Sequence, residues 1–307
     1  MSAEIWAIGG GKGGTGKSFI ASSLGIDLVR RGKKVILIDG DLGGANLHSF
    51  FGQTRPQHTL TDFFENRLAL TDIIGGTSLP NLQLVAGDIH TFNPDGIKYA
   101  QKLRFFNQIK KLDTDIVLID LGAGSGLNII DTHLLADKMI VVAIPEITAI
   151  ENLYQFLKKA LFRKLNIVMR KHHLKDTALL AWREKKGKEI GTLGELIAFF
   201  RGLSPDIDRI IQLELAHFKV FLVINQVRTR EHLLMGSSIR SVIGKHFGID
   251  AYYSGYVAYN TLFWKYINQP EPFSQLMIAT GMGNDIRTIT HNLLSGQQIS
   301  LTQISHD

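Results

Sequence analysis

Ile5-Trp6-Ala7-Ile8-Gly9-Gly10-Gly11-Lys12-Gly13-Gly14-Thr15-Gly16-Lys17-Ser18 is an apolar run that breaks into glycines and closes on a lysine and a serine. An unbroken apolar tetrad ending in glycine reads as a strand buried on both faces and feeding a loop. Behind the loop, Ile20, Leu24 and Leu28 recur at helical spacing from Ser18 to Arg31, and Gly32 stops that helix. The alternation continues along the chain. Val35-Ile36-Leu37-Ile38, Leu82-Gln83-Leu84-Val85, Ile116-Val117-Leu118-Ile119, Met139 to Ile144 and Val220 to Ile224 are further buried strands. Helical patterns lie between them, for example Glu146–Leu165 and Glu231–Phe247. Strands alternating with helices predict right-handed crossovers and an α/β, doubly wound, mostly parallel sheet flanked by helices. Such sheets bind ligands at the carboxyl ends of their strands, where Asp39, Asp120 and Asn225 fall.

Gly11, four intervening residues, then Gly16-Lys17-Ser18 is the P-loop pattern, and it stands in the required place between a strand and a helix. Glycines let the backbone curl until its N–H groups point at phosphate oxygens, and the helix amino end adds its dipole. Gly11, Lys12, Gly13, Gly14, Thr15, Gly16, Lys17 and Ser18 are therefore the predicted ATP cradle. Lys17 supplies a point charge to the β- and γ-phosphates, and the Ser18 hydroxyl an oxygen ligand to Mg²⁺. Lys12 lies outside the generic pattern. It is either a solvated loop lysine or a second cation able to reach a nucleotide in a partner subunit, and spacing alone leaves both open.

Composition narrows the class. The 307 residues are 45% apolar and 20% charged, ordinary for one large α/β domain, and no linker-like stretch divides them. We expect a single domain over 1–307 with a basic helical insertion at 166–216. Cysteine is absent, which excludes disulfides, thiolate metal sites and iron–sulfur clusters within the chain. The first strand follows Met1 so closely that no signal peptide is expected, no stretch is long and apolar enough to span a bilayer, and the expected location is cytoplasmic. The net charge of +6 is uneven. Lys158 to Glu189 holds eleven Lys/Arg against Asp176, Glu184 and Glu189, a local +8 that leaves −2 for the rest.

Lys12-Gly13-Gly14-Thr15-Gly16-Lys17-Ser18 resembles the deviant Walker A motif of the MinD/ParA family of ATPases. Ile38 to Leu47, containing Asp39-Gly40-Asp41, resembles that family's switch I, and Leu118-Ile119-Asp120-Leu121-Gly122-Ala123-Gly124 its Walker B strand and switch II in the FlhG/FleN style. Ile144 to Ile150 and Val223 to Val227 continue the match in order. The resemblance implies an ATP-hydrolysing switch that dimerises with ATP and regulates cellular positioning or assembly, with slow, partner-stimulated turnover. It implies that Lys12 crosses the dimer to the partner's phosphates, that Asp41 positions the attacking water, that Asp39 and Asp120 hold the Mg²⁺ hydration shell, and that Asn225 bonds the adenine. A nucleotide-binding scaffold with little hydrolysis is the alternative. An iron-protein relative is excluded by the lack of cysteine, and a tyrosine kinase of the bacterial type is disfavoured because no tyrosine follows Tyr266.

Four features depart from the family pattern. His48 replaces the usual acidic residue, Ala258 stands where a proline is usual, an activating N-terminal extension is not expected before the first strand, and Arg170 to Ala216 has no counterpart in compact members. Ile190, Leu193, Leu196, Ile197 and Phe200 give the insertion helical spacing. Its basic half, interleaved with Phe162, Met169 and Trp182, is expected either to meet an anionic surface (DNA, a membrane peripherally, or an acidic protein) or to be a solvated helix face. From Asp285 onward the only Lys/Arg is Arg287, so the tail is a poor membrane anchor. Expected partners are a second copy of the chain, and a protein activator or cargo.

Overall fold

A computed structural model gives the structure of residues 2–41, 44–45, 47–53, 56–65, 67–87, 97–174, 193–261, 275 and 281–299. Eight strands form one sheet: β1 Glu4–Gly9, β2 Val35–Asp39, β3 Gly75–Gly76, β4 Leu82–Val85, β5 Ile116–Asp120, β6 Lys138–Ala143, β7 Lys219–Val227 and β8 Asp250–Ala258. Their spatial order is β3-β4-β2-β5-β1-β6-β7-β8. Every neighbouring pair is parallel except β3 with β4.

The helices are α1 Lys17–Arg30, α2 Leu60–Phe64, α3 Tyr99–Ile109, α4 Leu127–Leu135, α5 Ile147–Lys171, α6 Leu193–Arg201, α7 Pro205–Ala216, α8 Arg230–Phe247 and α9 Met282–Ser295. The two-residue period of a strand sorts them into layers. Trp6 and Ile8 pack with Leu24, Leu28, Ile286 and Ile289, so α1 and α9 cover one face. Ile5 and Ala7 pack with Phe105 and Ile109 of α3, while Val141 and Ala143 pack with Leu153 and Phe156 of α5, on the other face. Burial on both faces is why these strands read as continuous Ile/Val runs.

Register builds the site. In the β2·β5 ladder Asp39 lies opposite Asp120, and in the β1·β5 ladder Ile8 lies opposite Asp120. Both carboxylates therefore emerge at the edge where β1 turns into the glycine loop.

The expected insertion begins inside a helix, because α5 runs six residues past Leu165 to Lys171. Its second half is the α6–α7 pair, where Ser204 caps α7 by accepting from the Ile207 N–H at 3.2 Å. Residues 175–192 lie outside the described residues, and with them Trp182, Ile190 and five of the eleven bases. Several bases on α5 already have partners. Arg163 pairs with Asp131 at 2.7 Å, and Lys164 and Lys171 each reach Glu214 of α7 at 2.7 Å. Lys102 meets the same Asp131 at 2.8 Å, with both groups buried, so α3, α4 and α5 share one buried ion cluster. No helix among the described residues is long and apolar enough to cross a membrane.

Candidate nucleotide site

The loop between β1 and α1 holds Gly14 at φ 75° and Gly16 at φ 86°, left-handed values that favour glycine. A Cβ on Gly16 would also stand 2.2 Å from Asn225 Nδ2. That nitrogen donates to the Thr15 carbonyl at 2.9 Å, and Asn225 Oδ1 accepts the Gln226 N–H at 2.9 Å. Asn225 thus braces the loop from the end of β7. On the opposite side, a Cβ on Gly11 would lie 2.1 Å from the Asn152 carbonyl of α5. The loop is clamped between two elements more than 100 residues downstream in the sequence.

Lys17 starts α1, and its ammonium folds back to the Lys12 carbonyl at 3.4 Å. Burial lowers its pKa, while Asp120 and Asp41 act in the opposite direction. Burial is the larger effect, and the two acids beside the ammonium offset part of it. Asp120 is itself buried. Burial drives its carboxyl up to about 8, against the hydrogen bond from Ser18, while Asp39 adds to the rise, Lys17 opposes it and Asp41 adds again. Asp120 Oδ1 has no hydrogen-bond partner. An unpartnered buried carboxylate oxygen next to the Ser18 hydroxyl fits a hydrated Mg²⁺, which needs few protein ligands and keeps its waters. Among the described residues no group of three or more His, Cys, Asp or Glu is arranged to hold a metal by itself. Magnesium is accordingly expected to arrive with phosphate oxygens as its other ligands.

Asp39 accepts the Asp41 N–H at 3.2 Å and the Leu47 N–H at 2.9 Å, so it ties down both ends of the segment resembling switch I. Leu42, Gly43 and Asn46 of that segment lie outside the described residues. The Asp41 carboxylate sits over Gly122, where a Cβ would come within 2.7 Å of its Oδ1. The segments resembling switch I and switch II therefore touch through Asp41. His48 is buried, and burial lowers its pKa. It is therefore a neutral group in the place of the expected acid.

Lys12 behaves unlike the rest of the loop. Its ammonium reaches out to Glu146 Oε2 at 2.7 Å and Thr148 Oγ1 at 2.9 Å, at the start of α5. Beside it Ile147 is 78% exposed, and Leu127 at the start of α4 is 63% exposed.

Sequence reasoning quoted Glu146 and Thr148 inside a motif without giving them a role. It missed His133, whose ring packs on Phe156 with both nitrogens buried and unpartnered. Burial takes the His133 pKa down to about 3, so the ring is neutral, and a Cβ on Gly9 would collide with its Nε2 at 2.1 Å. His133 leaves no room for a side chain on Gly9, the last residue of β1. Its only sequence signal is its place on the helix after Walker B.

A glycine loop between strand and helix, with a lysine, a serine and two strand-end aspartates converging on it, defines a nucleotide-binding P-loop protein. Residues 6–272 match the CobQ/CobB/MinD/ParA nucleotide binding domain, and the chain belongs to that family. Antiactivator FleN of Pseudomonas aeruginosa is 30% identical over 159 residues, covering 50% of this chain and 55% of that protein. A putative septum site-determining protein MinD of Chlorella vulgaris is 32% identical over 155 residues, covering 48% and 53%. The chain thus spans about half the length of the curated relatives it matches. The septum site-determining protein MinD from Pyrococcus horikoshii, solved with Mg-ADP, superposes with a TM-score of 0.64 over 96% of this chain and 98% of that one. At 19% identity that likeness is one of fold.

Proposed function

We propose that this chain is an ATP-hydrolysing switch, in which ATP closes a homodimer that engages a partner and hydrolysis reopens it. The observation that carries the reading is the convergence of Lys17, Asp41 and the Asp39·Asp120 pair on one loop, with Lys12 turned outward. Loop N–H groups and Lys17 hold the triphosphate. Ser18 and Asp120 hold Mg²⁺ and its waters, with Asp39 fixing the segment beside them. Bound Mg²⁺ neutralises phosphate charge as it shifts between oxygens. Asp41, in contact with Gly122, orients the attacking water, so the group that senses the γ-phosphate is also the group that joins the two switch segments. Lys12 crosses to the partner's phosphates and supplies the charge an arginine finger would. Asn225 keeps the loop in shape and lies on the side where the base extends.

This reading makes 1–307 one ATPase domain carrying a helical insertion, and places the protein in the cytoplasm, peripheral at a membrane or nucleoid where its partner resides. Family membership and the likeness to FleN and MinD support a role in positioning or assembly, with a protein activator or cargo. The test is phosphate release and sedimentation on the same Mg-ATP sample. Slow turnover and conversion of monomer to dimer are expected. A chain that binds ATP yet stays monomeric and releases no phosphate overturns the proposal.

A further inference from the structure

One face of α5 meets the nucleotide site turn after turn. Thr148 Oγ1 accepts from the Lys12 ammonium at 2.9 Å, and the Asn152 carbonyl abuts Gly11. Phe156 packs on the His133 ring with 5.2 Å between centroids, and Arg163 donates to Asp131 from Nε at 2.7 Å and from Nη2 at 3.2 Å. Lys159 stands between the last two and has a different target. Its ammonium donates to Ser125 Oγ at 2.7 Å. Thr148, Asn152, Phe156, Lys159 and Arg163 follow one another at helical steps of three or four, so they share one face.

Ser125 lies in the loop 121–126, which joins the end of β5 to α4. The Leu121 N–H donates to the Ile8 carbonyl at 2.8 Å, and the Gly126 carbonyl accepts from the Ile130 N–H at 3.1 Å, so both ends are fixed. Between them Gly122 lies under Asp41, and a Cβ on Gly13 of the phosphate loop would stand 3.6 Å from the Ala123 Cβ. Gly124 takes φ 101°, and with glycine also at 122 and 126 the stretch has little backbone stiffness of its own. Lys159 supplies a restraint from outside. The base of its side chain is well placed to do so, because Phe156 and Arg163 on either side of it anchor α5 to His133 and Asp131 of α4, all but Arg163 being buried. The helix that carries the donor and the helix that follows the acceptor are thus locked together, and the exposed Lys159–Ser125 bond ties the loop to both.

We propose that Lys159 is a positioning residue for hydrolysis: through Ser125 it holds the loop 121–126 so that Gly122 supports Asp41 at the attacking water. The inference rests on the ATP-hydrolysis reading of the site. Lys159 acts at one remove from the reacting atoms, and its effect falls on the rate and not on binding. The triphosphate is gripped by the loop between β1 and α1 and by Lys17, whereas an attacking water loses its alignment when the group orienting it shifts even slightly.

The experiment measures kcat and KM for phosphate release from Mg-ATP, ATP affinity by calorimetry and the unliganded melting temperature. The proteins are the wild type, Lys159→Met, Lys159→Arg, Ser125→Ala and the double variant Lys159→Met with Ser125→Ala. Lys159→Met keeps the apolar stem and loses the donor. It and Ser125→Ala are each expected to lower kcat by about 3- to 10-fold while KM, ATP affinity and melting temperature stay at wild-type values. The double variant should be no slower than either single one, since both remove the same bond. Lys159→Arg, which keeps a donor, should recover most of the rate. Wild-type kcat in either single variant overturns the proposal while sparing the hydrolysis reading. So do losses that add in the double variant, which would make the two residues independent. A kcat that falls only in step with ATP affinity or melting temperature also overturns it, because the pair would then be a brace of the fold. A wild type that binds Mg-ATP and releases no phosphate overturns the hydrolysis reading and this inference with it.

Discussion

Lys12 is held within its own chain by Glu146 and Thr148, at 2.7 and 2.9 Å. If ATP-driven pairing needs Lys12 on the partner's phosphates, both bonds must break in each protomer. Side-chain exposures of 32% and 55% place the ion pair in screened surroundings. Such a pair is worth ~0.2–1 kcal/mol, and the hydroxyl bond adds ~0.5 kcal/mol. About 1 kcal/mol per protomer is about 2 kcal/mol per dimer, or roughly 30-fold in the dimer dissociation constant. Glu146→Ala removes the ion pair alone, ~0.4–2 kcal/mol per dimer, so it should tighten the Mg-ATP dimer by ~2- to 30-fold, and the gain should shrink in high salt. Lys12→Ala should bind ATP nearly normally, remain monomeric and lose most turnover. Sedimentation velocity across a protein dilution series reads both. A Glu146→Ala dimer no tighter than the wild type would refute the reasoning, because Glu146 would then serve the closed state as well as the open one.

Lys17→Ala removes the ammonium buried against the loop, and ATP affinity by calorimetry should fall by ~10- to 150-fold; wild-type affinity would end the phosphate-cradle account. Asp41→Ala leaves the cradle intact, so ATP should stay bound and the dimer persist while turnover drops by ~10²-fold or more; unchanged turnover would remove Asp41 from the chemistry. Glu214 gives a pH test. Burial would raise its carboxyl, but hydrogen bonds from Lys164 and Lys171 win and bring it from 4.5 down to about 2. A depressed acid contributes stability that is present above pH 4.5 and lost as pH falls towards 2. Glu214→Gln should lower stability at neutral pH by ~1 kcal/mol and flatten the acid limb of urea unfolding, and an acid limb as steep as the wild type's would show that the pair contributes nothing.

The parts of the fold that were legible share one property. Each of β1, β2, β5, β6 and β7 is a local apolar run, so burial on both faces is written into consecutive residues, whereas β4 is interrupted by the exposed Gln83. β8 is different, because Asp250–Ala258 mixes aromatics with Ser254 and Gly255 at the sheet edge, where only part of the strand is buried. β3 is two glycines and carries no pattern at all. The site divides the same way. The loop's chemistry lies in contiguous residues, and the aspartates could be placed at strand ends, but their adjacency depends on a register between β2 and β5 that no local pattern states. The same holds for Lys12 with Glu146, 134 residues apart. The position of Asn225 at the end of β7 was legible, but the hydrogen bond from its amide to the Thr15 carbonyl was not, because it joins residues 210 apart.

The basic segment shows how far a count of charges in a sequence window can mislead. The local +8 between Lys158 and Glu189 omits Asp131 and Glu214, which lie outside the window and meet Arg163, Lys164 and Lys171 in the fold. Ion pairs already made release no counterions when a polyanion arrives. If duplex DNA met all eleven bases, the slope of log affinity against log salt would approach about −10, at ~0.9 per neutralised phosphate. With three bases committed, the slope should be no steeper than about −7. Filter binding of duplex DNA between low and moderate salt measures it. A slope near the larger value would mean that DNA strips Glu214 and Asp131 of their partners, and since Asp131 also holds buried Lys102, the α3–α4–α5 contact would have to reorganise on binding. A slope within the smaller bound leaves that contact intact and confines the DNA contact to bases such as Lys158 and Arg170, which are exposed along α5.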